Sequence, residues 1–159
     1  MRKQILKLIA VVAIVIGGVV SSNAQELGVR FGDVSGGSVA IDGIFSTGEF
    51  SRLHADLSFG KGVSADLLWD FLYRPLGDEA FNWYMGAGPY LGIIDNNNDK
   101  DSDNDTDFNL GAVFEIGIEY RFPSVPIALG LDYRPALEII DHTGFHWNSY
   151  GFNVRYIFR

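Results

Sequence analysis

The sequence predicts an all-β fold: an eight-stranded antiparallel up-and-down transmembrane β-barrel with a polar, filled lumen, preceded by a signal peptide. Three observations lead there. Beyond residue 24 the chain alternates apolar and polar side chains in segment after segment, the period of a strand with two unlike faces. Aromatic residues make up 14% of the chain and sit mainly at the ends of these segments, where a membrane barrel carries its girdles. Glycine occurs 19 times and methionine twice, a composition of strands and tight turns more than of packed helices.

The N-terminus addresses the compartment. Arg2, Lys3 and Lys7 precede an apolar run over residues 8–20, which Ser22, Asn23 and Ala24 close. This is the layout of a secretory leader, with small residues placed for cleavage before Gln25. The run is shorter than the roughly 20 residues that a spanning helix needs. The expected organisation is a signal peptide over 1–24 and one barrel domain over 25–159. Losing the leader removes three positive charges and takes the net charge from −8 to −11, which argues against a nucleic-acid partner. With no cysteine, neither a lipoprotein anchor nor a disulfide framework is available.

The segments follow in order. The first has Leu27, Val29 and Phe31 on its apolar face, the second Val39, Ile41 and Phe45. The third sets Leu53, Ala55, Leu57 and Phe59 against Arg52, His54, Asp56 and Ser58. The fourth sets Val63, Ala65, Leu67, Trp69, Phe71 and Tyr73 against Ser64, Asp66, Asp70 and Arg74. The fifth carries Phe81, Trp83, Met85, Ala87, Leu91 and Ile93. In the sixth, the even-numbered residues from Phe108 to Phe122 are almost all apolar, while Asn109, Glu115, Glu119 and Arg121 lie opposite. The seventh opposes Ile127, Leu129, Leu131 and Tyr133 to Gly130, Asp132 and Arg134. The eighth opposes Tyr150, Phe152, Val154, Tyr156 and Phe158 to Ser149, Gly151, Asn153 and Arg155.

Closing such strands satisfies every backbone group without an edge, which a lipid environment demands. A soluble exported barrel around a lipophilic ligand is the competing arrangement, with apolar faces inward. The short connections 46–49, 75–80 and 123–126 fall at one end. Those at 35–37, 60–62, 95–107 and 138–148 fall at the other, which therefore holds both long loops, the usual asymmetry of membrane barrels. Proline donates no ladder hydrogen bond, so bulges are expected at Pro89 and at the Tyr133, Arg134, Pro135 segment.

With this rhythm the mature chain resembles the small eight-stranded outer-membrane barrel families, those like outer-membrane protein X or the membrane domain of outer-membrane protein A. The most specific part is the alternating segment 150–158, similar to the signal read by the barrel-assembly machinery through Tyr156 and Phe158. The family ends on an aromatic residue, whereas here Arg159 follows Phe158. The resemblance implies a monomer in the outer membrane of a Gram-negative envelope, surrounded by membrane lipids including lipopolysaccharide.

The polar faces collect Arg30, Asp42, Arg52, His54, Asp56, Asp66, Asp70, Arg74, Glu115, Glu119, Arg121, Asp132, Arg134 and Arg155. The interior of a barrel of about eight strands is just filled by side chains, so these charges are expected to pair with one another. Glycines 86, 88, 111, 117, 130 and 151 on the same face leave room for long arginines. A narrow ion path, gated by groups such as Arg121 and Glu119, is the functional alternative to structural pairing.

Asp95, Asp99, Asp101, Asp103, Asp105 and Asp107 make a loop that suggests weak divalent-ion binding. The EF-hand positions that need glycine and glutamate hold other residues, so no defined metal centre is expected. In the last loop, Asp141, His142, His146 and Ser149 invite comparison with lipid A deacylases and acyltransferases. His146 and Ser149 are three apart, on opposite faces of an extended strand, so only a loop conformation brings a nucleophile and its base together there. No cofactor motif appears. The expected role is a non-enzymatic structural or surface-interaction protein; a lipid A-modifying enzyme, a small-solute channel and a soluble lipid carrier are the alternatives.

Overall fold

A computed structural model describes residues 25–34, 37–60, 62–95, 106–140 and 144–158. Residues 1–24 (expected to be a leader), most of the acidic loop, and Asp141 and His142 lie outside the described residues. Among the described residues ten strands form, all paired antiparallel. They are β1 (Gln25–Val34), β2 (Gly37–Gly48), β3 (Ser51–Gly60), β4 (Gly62–Leu76), β5 (Asp78–Asp95) and β6 (Thr106–Arg121). The rest are β7 (Ile127–Tyr133), β8 (Ala136–Ile140), β9 (Gly144–His146) and β10 (Tyr150–Ile157).

The ten reduce to eight staves of one closed barrel. Strands β7 and β8 both pair with β6 and are one stave broken at Arg134 and Pro135. Strand β9 continues into β10, which pairs with β7 on one side and β1 on the other. The pairing of β5 with β6 and of β1 with β10 closes the circle. The wall survives the proline break because the Pro135 carbonyl accepts from Phe114 N at 3.0 Å and Arg134 N donates to the Ser149 carbonyl at 2.8 Å.

The bulge expected at Tyr133, Arg134 and Pro135 is absent from the pairing with β6, whose register is the same at Tyr133 and at Ala136, and none forms at Pro89. Strand β5 keeps one register against β6 through Gly88, Pro89 and Tyr90, and its register against β4 is the same on either side of the proline. The missing N–H costs pairs locally without inserting a residue. The bulge lies on the partner strand instead, between Trp69 and Leu72, opposite Gly86. Its consequence is a change of parity. Beyond it Tyr73 turns inward and Arg74 outward, where the guanidinium lies 3.5 Å from the centroid of the Phe50 ring. The expectation that Arg74 lines the lumen and Tyr73 the outer girdle is thereby reversed.

Two of the three turns at the short end, β2–β3 and β4–β5, are tighter than the sequence suggests. Strands β4 and β5 are joined through Gly77 alone, whose φ of +86° lies where a Cβ would be strained.

The distribution of side chains is inverted relative to a water-soluble protein. Buried residues are mostly polar or charged, whereas the large apolar ones, among them Leu67 at 50% exposed, Trp69, Phe114 and Leu131, cover the outer wall. The alternation sets this up: at each strand pair the register keeps outward residues opposite outward ones, as with Leu57 and Ala65 or Ile118 and Leu131. An apolar cluster of buried residues, Leu68, Tyr90, Val113 and Ala136, forms a patch on the inner face of β4, β5, β6 and β8.

Candidate functional site: the charged interior

The lumen holds a continuous network of ion pairs running from one mouth of the barrel towards the other. At the short-turn end Glu26 accepts from Arg121 Nη2 at 2.5 Å and from Arg155 Nε at 3.0 Å. Arg155, fully buried, also reaches Asp42 Oδ2 at 3.0 Å and donates to Glu119. Glu119 further accepts from Arg52 Nη1 at 3.1 Å and Tyr73 Oη at 3.0 Å. Arg52 bonds Asp70 through Nε at 2.6 Å. Its guanidinium lies 4.4 Å and 4.3 Å from the ring centroids of Tyr73 and Tyr84, a cation–π arrangement that aromatic residues on the polar face make possible.

In the middle of the barrel His54 faces Asp42 with Nε2 at 2.7 Å and Glu115 with Nδ1 at 3.1 Å. Each ring nitrogen therefore faces a carboxylate oxygen, one from each side of the lumen. His54 ties β2 and β3 to β6 across the lumen. Arg134 donates from Nε to Glu115 at 3.1 Å and from Nη1 to Asp56. Arg30 donates from Nη2 to Asp132 at 2.6 Å, and Asn153 donates to the same carboxylate at 2.7 Å.

Towards the long-loop end the network becomes neutral and then ends at a dyad. Ser58 and Ser64 hydrogen-bond across β3 and β4. Tyr90 donates to Glu138 at 2.6 Å, Asn109 supports the same oxygen at 3.3 Å, and His146 Nε2 stands 3.1 Å from the other Glu138 oxygen. His146 is thus oriented by Glu138, while Ser149 lends its backbone carbonyl to Arg134.

Of the charged residues assigned to the lumen from sequence, all but Arg74 face inward, and Arg121 sits at the mouth with its side chain 33% exposed. Sequence reasoning missed Glu26, Tyr73, Tyr84, Asn82 and Glu138, and it placed Asn153 on the polar face without giving it a partner. Glu26 was findable, since it shares the parity of Arg30. Tyr84 had a weaker signal: it stands opposite Gly117, where a Cβ would strike its ring, so a small residue there marks a large inward neighbour. The inward glycines make room for tyrosines at 111 and 117 and for arginines at 130 and 151.

Gly151 is the tightest of these in its consequence. A Cβ there would lie 2.6 Å from Arg30 Nη2. Gly151→Ala is expected to push Arg30 off Asp132 and cost about 1 to 3 kcal/mol, measurable as a lower urea midpoint of the barrel in lipid vesicles.

Two triads bring potential metal donors within 4.8 Å of one another: Asp42, His54 and Asp56, and His54, Asp70 and Glu115. Both depend on His54. Its nitrogens are already engaged with carboxylates, and Arg134 Nη2 lies 2.9 Å from Nε2, so positive charge occupies the place an ion would take.

No protein-family model matches the chain, and neither a curated protein nor a solved structure is similar enough to it to count as a match.

Proposed function

We propose that this chain is a small integral β-barrel protein of the outer membrane, exported by its N-terminal leader, with a structural or surface-interaction role and no enzymatic one. The observation that carries this is the inversion of its two faces: charge fills the inside and large apolar side chains cover the outside. A lipophilic-ligand carrier needs the opposite arrangement. The closed hydrogen-bonded wall meets the requirement that lipid places on backbone groups.

A filled lumen does not suit a solute channel. Arginine, carboxylate and tyrosine side chains bridge the barrel at several levels, and the apolar patch around Leu68 and Val113 narrows it further. The partners in this reading are membrane lipids, including lipopolysaccharide, around the wall, and the barrel-assembly machinery at Tyr156 and Phe158. The protein acts as a monomer, its long loops turned outward. The test is fractionation of the native host followed by electrophoresis of boiled and unboiled samples. A band in the outer-membrane fraction that migrates faster unboiled supports the reading, and a soluble periplasmic band excludes it.

One observation favours a second reading, lipid modification at the outer rim: Glu138 orients His146 as a carboxylate orients a general base. On the primary reading, His146→Ala leaves lipid A composition unchanged by mass spectrometry. A change in acylation would favour the enzyme.

A further inference from the structure

The charges buried in the lumen do not cancel. Eight carboxylates, at Glu26, Asp42, Asp56, Asp66, Asp70, Glu115, Glu119 and Asp132, are buried with four arginines and His54. Counting His54 as a cation and adding the two groups near the mouths, Arg121 and Glu138, gives nine carboxylates against six cations and leaves three negative charges over. Part of the surplus gathers at one place. Asp42, Asp56 and Asp66 stand directly opposite one another across β2, β3 and β4, like charges side by side in the register.

Asp42 is held by Arg155 and His54. Asp56 is held by Arg134 through Oδ2, and Asp66 Oδ2 is 4.0 Å from the same guanidinium. The other oxygen of each, Asp56 Oδ1 and Asp66 Oδ1, is buried with no hydrogen-bond partner. A buried carboxylate oxygen left unpaired is costly. Two residues further out on the same inner face, Ser58 and Ser64 place a pair of hydroxyls, also directly opposite each other.

We propose that Asp56 and Asp66, with the Ser58 and Ser64 hydroxyls above them, bind a divalent cation of the Ca²⁺ or Mg²⁺ type inside the barrel. The donor set is oxygen only, the preference of hard cations. One divalent ion offsets two of the three surplus negative charges. It enters from the long-loop end, where the lumen is lined by hydroxyls and carboxylates. Arg134 excludes the neighbouring His54 triads but contacts Asp56 and Asp66 from their Oδ2 side, leaving both Oδ1 atoms for the ion. The site depends on the polar interior and not on the membrane reading, so either stands if the other fails.

The experiment is calorimetric titration of Ca²⁺ into the full chain folded in detergent micelles and freed of metal. Expected is binding of one ion per chain that persists when Asp99, Asp101, Asp103 and Asp105 are all changed to Asn, and that Asp66→Asn abolishes. Asp66→Asn removes a like charge opposite Asp56, so it should keep the compact unboiled mobility. As a second reading of the same site, Tb³⁺ emission excited through tyrosine should fall in Tyr90→Phe, because Tyr90 stands opposite Asp66. Absence of Ca²⁺ binding, binding undiminished in Asp66→Asn, or binding lost with the loop aspartates would each overturn the proposal.

Discussion

Arg155→Met is expected to destabilise the folded barrel by about 3 to 5 kcal/mol, the cost of stripping the cation from a buried cluster. Arg155 is fully buried and joins three carboxylates from three strands: Glu26 on β1, Asp42 on β2 and Glu119 on β6. Methionine preserves much of the volume, so the loss measures charge more than packing. Arg121 and Arg52 still serve Glu26 and Glu119, and His54 still serves Asp42, which keeps the effect finite. Adding Asp42→Asn to Arg155→Met should recover part of the loss, because it removes one of the stranded negative charges. Urea unfolding in lipid vesicles, run as a double-mutant cycle, reads both numbers.

The second large effect separates the two possible surroundings of the wall. Leu67 lies near the middle of β4, points outward and is 50% exposed. If its neighbour is hydrocarbon, Leu67→Arg costs about 2 to 4 kcal/mol. If its neighbour is water, an exposed substitution of this kind stays within about 0.5 kcal/mol. The same arginine placed at Glu49, in the short turn between β2 and β3, is expected to cost little in either case. A large penalty at 67 with a small one at 49 is therefore a depth profile, readable from unfolding midpoints of two variants.

Much of this architecture was legible in the chain because a strand has an exact side-chain period of two. Once β3 shows Leu53, Ala55 and Leu57 against Arg52, His54 and Asp56, face assignment follows for each residue of the strand. The same exactness explains the failure at β4. A single inserted residue between Trp69 and Leu72 flips everything after it, and nothing in Asp70, Phe71 or Leu72 announces a bulge, so Tyr73 and Arg74 were placed on the wrong sides. Pro89 misled in the other direction: it lacks a donor, yet the register accommodates it.

The pairing inside the lumen was not legible at all. That Arg134 meets Asp56, Glu115 and Asp132 depends on which strands lie across the barrel from each other, a property of closure and stagger and not of local sequence. Glu26 shows the remaining gap. It has the parity of Arg30 but stands one residue into the first strand, where an alternation has barely begun.

The measurement that bears most directly on the central claim uses Trp69, which is 56% exposed on the outer wall. With Trp83 and Trp147 changed to Phe, the remaining indole fluorescence is followed in bilayers containing lipids brominated on their acyl chains and then with aqueous iodide. An outer wall in lipid predicts strong quenching by the brominated chains and little by iodide. Quenching by iodide with no response to the brominated lipids would place the apolar face in water and contradict the account.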